Sequence, residues 1–244
     1  MGETAAPRWN SALLLFFYEK IRYILGMITA AIFDMDGTLL DSMGYWRNCG
    51  EIFVRSQGFE AERNLSDILF RYSMAEGVSY LQKNYFPDWD VHRVHDGIIG
   101  VLFDSYAKTI ALKEGARDIL EVLCARKIPC ALATATPREL FSPAFDRLSL
   151  SHYFKGVFTC PELNTNKSCP KIYDAAARFL GAHSENCLVF EDALVPIKTA
   201  KTAGFKTVGV FDKSSERESD VIRQFSDVYV NSLLELDMDA ALAL

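Results

Sequence analysis

The stretch Ala30-Ala31-Ile32-Phe33-Asp34-Met35-Asp36-Gly37-Thr38 constrains the chain more than any other. Four small or apolar residues run straight into two aspartates one residue apart. The apolar run is too short for a helix and reads as a buried strand, ended by Gly37. In a parallel α/β sheet the carboxyl ends of the strands form the site face. Asp34 then stands where the strand stops, and Asp36 in the turn beyond it. Two carboxylates this close repel unless a cation or a shared proton intervenes. The sequence therefore implies a divalent metal, or one carboxyl held protonated. Gly37 suits a sharp turn where a Cβ would clash.

The 244 residues suit one α/β domain with a small insert, or two modest domains. Half the residues are apolar, which is enough for a sizeable core. The net charge of −6 comes with no basic run or aromatic-basic stripe, which argues against nucleic acid as a partner. Cys49, Cys124, Cys130, Cys160, Cys169 and Cys187 form no C-x-x-C pair and read as free thiols of a reducing cytoplasm. Residues 1–26 are partly apolar, but Glu19, Lys20 and Arg22 interrupt the run, so it does not span a bilayer. They read as an extension, such as an early start codon leaves, before a working domain that begins near Met27.

Residues 43–111 show helical signals and no strand. Ser73 and Glu76 have capping-box spacing, and Pro87-Asp88 turns the chain before a cap at Asp90. From Gly115 onward strands and helices alternate. Strands are expected over 128–134, 157–159, 187–190, 207–211 and 228–230, with helices between them. This pattern implies an α/β fold, a doubly wound parallel sheet, with an α-helical cap inserted after the first strand. The expected division is a core of 27–42 and 112–244 and a cap of 43–111.

Asp34-Met35-Asp36-Gly37-Thr38 resembles the first motif, D-x-D-G-T, of the haloacid dehalogenase (HAD) superfamily, and the helical insert resembles the cap of its β-phosphoglucomutase-like branch. Three further stretches resemble the remaining motifs, in family order. Leu132-Ala133-Thr134-Ala135-Thr136 is similar to motif II, Lys167-Ser168-Cys169-Pro170-Lys171-Ile172-Tyr173 to motif III, and Glu191-Asp192 with Ala203-Gly204 to motif IV. The resemblance covers about residues 27–230.

The resemblance implies Asp34 as nucleophile and Asp36 as general acid/base. It gives Thr134 the transferring phosphoryl group, with Thr136 and Gly37 as further substrate contacts. Lys167 neutralises the nucleophile and phosphate, and Lys171 is its rival. Mg²⁺ is held by Asp34, Asp36 through its backbone carbonyl, Asp192 and Glu191; hard oxygen ligands suit that ion. Arg71 lies near the turn between cap helices, where this branch places substrate-selecting residues. Ser168 stands where the family has its first motif III proline, Pro196 where it has glycine, and Thr199 where it often has alanine. Trp46 and Trp89 read as cap packing. His92 and His95 have i,i+3 spacing on a helix but no third ligand.

The expected activity is Mg²⁺-dependent hydrolysis of a small phosphorylated metabolite through an aspartyl-phosphate, by a monomer or weak dimer with no membrane partner. One rival is a sugar phosphomutase. In β-phosphoglucomutase a cap-side histidine follows the D-x-D-G stretch, and Trp46 occupies the matching position here. The other is an inactive HAD fold serving as a binding or regulatory module.

Overall fold

The computed structural model describes residues 27–244; the extension expected over 1–26 lies outside the described residues. The strands are β1 (Ala30–Phe33), β2 (Cys130–Thr134), β3 (Phe154–Thr159), β4 (Cys187–Glu191), β5 (Lys206–Val210) and β6 (Val228–Val230). They pair in parallel in the order β3-β2-β1-β4-β5-β6. The chain builds outward from β1 to one side and then to the other. The carboxyl end of β1 is therefore the switch point where a crevice opens.

The sheet is buried on both faces, as βαβ crossovers require. Along β1, Ala31 and Phe33 enter one core cluster with Leu132, Leu188 and Phe190, while Ala30 and Ile32 enter the other with Ala131, Ala133 and Val189. The rings of Phe33 and Phe190 stack with centroids 4.2 Å apart. Small residues alternate with large ones across the strands, and β1 is fully buried.

Four cap helices follow β1: α1 (Met43–Ser56), α2 (Leu65–Leu69), α3 (Met74–Tyr85) and α4 (Val91–Lys108). The capping box starts α3: Ser73 N–H donates to Glu76 Oε2 at 2.8 Å, and Glu76 N–H to Ser73 Oγ at 3.4 Å. Asp90 caps α4 by accepting from His92 N–H. The buried stripe of α4 is Val94, Ile98, Leu102 and Tyr106, each four residues from the next. It joins the cap to the core cluster that holds Phe33. The two linkers between cap and core also pair, through a bridge of Leu40 with Leu112.

After the cap come α5 (Ala116–Ala125), α6 (Arg138–Arg147), α7 (Lys171–Phe179), α8 (Leu194–Thr202), α9 (Ser219–Phe225) and α10 (Met238–Leu242). Helices α5, α6 and α10 cover one sheet face, and α7 and α8 the other. Three details depart from expectation. Strand β3 starts three residues early, because the register shifts between Cys130 and Ala131: Cys130 pairs with Phe154 and Ala131 with Gly156, which masks the alternation. The helix expected over 215–225 begins as a 3₁₀ segment, Lys213–Glu218, capped by Asp212. Helix α10 is additional; Asp237 caps it.

Candidate active site

Asp34 follows β1 directly, and its N–H donates to Phe190 O on β4 at 2.9 Å. Glu191 closes β4 and Asp192 follows it. All three carboxyl groups are buried, and each offers an oxygen within 4.8 Å of the others. The Lys167 ammonium donates to Asp34 Oδ1, and to Glu191 Oε1 at 2.7 Å. Tyr173 on α7 donates its hydroxyl to the same Oε1 at 2.6 Å. Lys171, the rival lysine, is exposed and donates to Leu163 O at 2.6 Å. The loop before α7 is braced where motif III usually has proline: Asn166 Oδ1 accepts from Ser168 N–H at 3.0 Å and from the Ser168 hydroxyl. Pro196 is the third residue of α8, where the N–H has no partner within the helix, so its missing donor costs little.

Asp36 sits in a cage of hydroxyls. Oδ1 accepts from Ser42 at 2.6 Å and from Tyr106; Oδ2 accepts from Thr136 at 2.6 Å. Trp46 Nε1 in turn donates to the Tyr106 oxygen at 2.9 Å, so a cap-borne chain of donors ends on Asp36. Thr134 Oγ1 accepts from Thr136 N–H at 3.1 Å, which leaves its hydroxyl proton for another acceptor.

Gly37 makes the sharp turn expected of it, where a Cβ would clash. Its φ is +87°, and a Cβ built there would lie 2.4 Å from Asp192 Oδ2. The residue makes room for a carboxylate, and it is not among those lining the cavity. Its carbonyl accepts from Lys113 Nζ at 2.7 Å, and Lys113 also holds Phe211 O and Asp212 Oδ2. Asp192 Oδ1 accepts from Thr38 at 3.2 Å.

The electrostatics follow from this crowding. Burial, then the Asp34 charge, raise Asp36 above the ordinary carboxyl range; its three hydroxyl donors act in the opposite sense. Burial and Asp34 push Glu191 up to about 7, against Lys167 and Tyr173. Burial and the neighbouring carboxylates push Asp192 well above its usual value. Burial works against the Lys167 ammonium, but Asp34 and Glu191 outweigh it and raise its affinity for the proton. Among the described residues, Asp34, Asp36, Glu191 and Asp192 thus face one cation that bonds directly to the cluster, Lys167. A hard divalent ion fits this donor set. Asp34 and Asp192 are the residues best disposed to hold it, since Glu191 Oε1 already accepts twice.

The cluster opens into a cavity of about 540 Å³ between core and cap. Asp34, Asp36, Thr136, Lys167, Glu191 and Asp192 form its floor, and α1, α3 and α4 supply walls. Arg71 is exposed and does not line it; Arg47 does, and is paired with Asp67. His92 is exposed and His95 contacts Asp96, both away from the cluster. The sequence reading missed Tyr106, Lys113 and Asp212. Only Tyr106 carried a signal, a phenol in an otherwise apolar stripe, which needs a partner once buried.

The chain belongs to the haloacid dehalogenase-like hydrolase family, whose model matches residues 31–210. It is thus an enzyme of that family. Among curated proteins it is similar to the phosphorylated carbohydrates phosphatase of Thermotoga maritima, 27% identical over 184 residues that cover 73% of this chain and 83% of the relative. It is also similar to hexitol phosphatase B of Escherichia coli, 26% identical over 212 residues, 86% and 94% of the two chains. Among solved structures it resembles CbbY of Rhodobacter sphaeroides in complex with phosphate, with TM-score 0.72, 22% identity and coverage of 89% and 100%. The β-phosphoglucomutase of Clostridium difficile gives TM-score 0.64 at 20% identity, covering 88% and 95%. At these identities the structures show a shared fold.

Proposed function

We propose that the chain is a Mg²⁺-dependent phosphatase that hydrolyses the phosphate monoester of a small metabolite. The observation that carries this reading is the placement of Asp34 on the cavity floor, with Lys167 bonded to it and Asp192 beside it. The phosphatase names of the curated relatives support it.

In this reading the Asp34 carboxylate attacks phosphorus and the ester P–O bond breaks. Asp36, protonated, gives its proton to the leaving alkoxide. Its raised pKa favours that form. Lys167 and the Thr134 hydroxyl take up charge on the transferring oxygens. Water, deprotonated by Asp36, then cleaves the aspartyl-phosphate, so that one ester and one water yield alcohol and phosphate. A bound Mg²⁺, held by Asp34, Asp192 and the Asp36 carbonyl, supplies charge neutralisation at the phosphoryl oxygens.

Trp46 argues against the phosphomutase alternative: its Nε1 is committed to Tyr106, and an indole N–H cannot accept a proton as a histidine can. We also propose a cytoplasmic location and a monomer or weak dimer. The six free cysteines fit the first, and no helix among the described residues is long and apolar enough to cross a membrane.

The test is release of p-nitrophenol from p-nitrophenyl phosphate by the purified chain with Mg²⁺. Turnover that stops with chelator and returns with metal is the expected result. No turnover with Mg²⁺, Mn²⁺ or Co²⁺ would leave the inactive HAD fold as the better reading.

A further inference from the structure

The catalytic carboxylates open into a cavity whose cap side is apolar. Its walls carry Leu69, Phe70, Met74, Val78, Leu81 and Ile98, with Met43 and the Trp46 ring nearer the floor. Most polar groups around it already have a partner, though Arg47 keeps the N–H groups that Asp67 does not take. Trp46 Nε1 donates to Tyr106, and the Ser73 hydroxyl serves the capping box. Cys49 Sγ donates to Trp46 O. Arg47 pairs with Asp67 and lies over the Phe70 ring, 5.0 Å from its centroid. Among the described lining residues away from the floor, the hydroxyls of Tyr72 and Ser215 are the side-chain groups with no hydrogen bond. A polyol or sugar bound here would lose its water at several hydroxyls and regain few partners, which is unfavourable. Phe70, Tyr72 and Met74 are 42, 43 and 36% exposed on this wall, apolar surface that an occupant would cover.

We propose that the substrate's alcohol portion is apolar and ring-bearing, an arylalkyl phosphate and not a sugar or polyol phosphate. The inference rests on the phosphatase reading and names its substrate class. It parts from the carbohydrate and hexitol phosphates in the names of the relatives.

The comparison is kcat/KM for 2-phenylethyl phosphate against glucose 6-phosphate and sorbitol 6-phosphate. All three release a primary alcohol, so the ratio reads recognition more than leaving-group chemistry. The arylalkyl ester is expected to lead by at least about tenfold, the effect of burying a ring-sized apolar group, chiefly through KM. Equal or reversed values would overturn the proposal. In parallel, binding of 2-phenylethylphosphonate and 2,3-dihydroxypropylphosphonate to the Mg²⁺-loaded protein is measured by calorimetry. Tighter binding of the aryl phosphonate supports the proposal even if no ester, p-nitrophenyl phosphate included, is turned over; that result would remove the phosphatase reading alone. Turnover of p-nitrophenyl phosphate with no aryl preference in either arm removes the substrate class alone. Phe70→Asn with Met74→Gln, both at exposed positions, should cut the preference about fivefold. An unchanged ratio in a folded double variant would count against the proposal.

Discussion

Tyr106, on the last cap helix, donates its hydroxyl proton to Oδ1 of Asp36, seventy positions earlier in the chain. Burial, then the Asp36 charge, hold the phenol proton on well above its ordinary range, so Tyr106 is the donor. Trp46, from the first cap helix, donates to the Tyr106 hydroxyl oxygen at 2.9 Å. The proposed acid/base is therefore oriented by the cap as well as by Ser42 and Thr136 of the core side.

Tyr106→Phe tests this positioning role. It keeps the ring in the core and removes one donor from Asp36. It also strands the Trp46 N–H, at a cost of about 1–3 kcal/mol if no water replaces the oxygen. We expect kcat to fall about tenfold with KM nearly constant, since proton transfer loses alignment and not affinity. A variant that loses thermal stability but keeps kcat would make Tyr106 a strut between cap and core and nothing more.

Asp34→Asn separates chemistry from folding. An amide cannot form the acyl-phosphate, so turnover should drop by at least about a thousandfold. Stability should not follow. The Asp34 charge pushes up the pKa values of Asp36, Glu191 and Asp192, and among the described residues Lys167 is the one cation bonded to it. Without metal, the melting temperature of the variant is expected to equal or exceed that of the wild type. Retained turnover in the folded variant would remove Asp34 as nucleophile.

Much of this site was legible because it is local. Asp34 and Asp36 follow an apolar strand, motifs II and IV end strands of the same sheet, and Lys167 stands in the loop between β3 and α7, so the topology assembles what the sequence spaces apart. Tyr106 was not legible, since its spacing on α4 is that of an ordinary core residue. Its function depends on how far the cap leans over β1, which no local pattern encodes. At Gly37 the sharp turn and the clash of a Cβ were both legible, but that the clash is with Asp192, from a distant strand, was not. Arg71 was chosen by its distance from a helix turn, and the fold turns it to solvent.

Gly37→Ala should be costly for two reasons. The backbone is at φ +87°, and the new Cβ would lie 2.4 Å from Asp192 Oδ2. Strain of this kind costs roughly 1–3 kcal/mol, and the carboxylate must move as well. We expect a lower melting temperature together with a raised Mg²⁺ requirement for activity. Loss of stability with an unaltered Mg²⁺ dependence would separate the turn from the metal site.

Asp227 gives a pH signature remote from the active site. Burial raises its pKa, but the Lys201 and Thr207 hydrogen bonds outweigh it and hold the carboxyl below its usual range. Thr207 N–H and its hydroxyl donate to Oδ2 at 2.8 and 3.0 Å, fastening the turn before β6 to β5. A depressed folded pKa means that this stability is present above the unfolded value of about 3.9 and is lost as pH falls through the folded one. Asp227→Asn should melt earlier than wild type at pH 7, and the gap should narrow as pH falls below about 3.9. Parallel melting curves across that range would discount the ion pair.

Metal dependence can be read without activity. Four carboxyl groups crowd the cavity floor against Lys167, and a bound phosphate ester adds about two negative charges. A ligand that binds only the folded state stabilises it, by about 2.7 kcal/mol at a hundred times its dissociation constant. Added Mg²⁺ should therefore raise the wild-type melting temperature, and chelator should reverse the gain. In Asp192→Ala one ligand is gone, and Thr38 loses its acceptor. Both the melting shift and the initial rate should then need far more Mg²⁺, or fail to respond. Ca²⁺ should stabilise the wild type yet inhibit it, because its larger and looser coordination can draw both Asp34 oxygens to the metal and away from phosphorus. Superimposable Mg²⁺ titrations for wild type and Asp192→Ala, by melting and by rate, would take Asp192 out of the metal site.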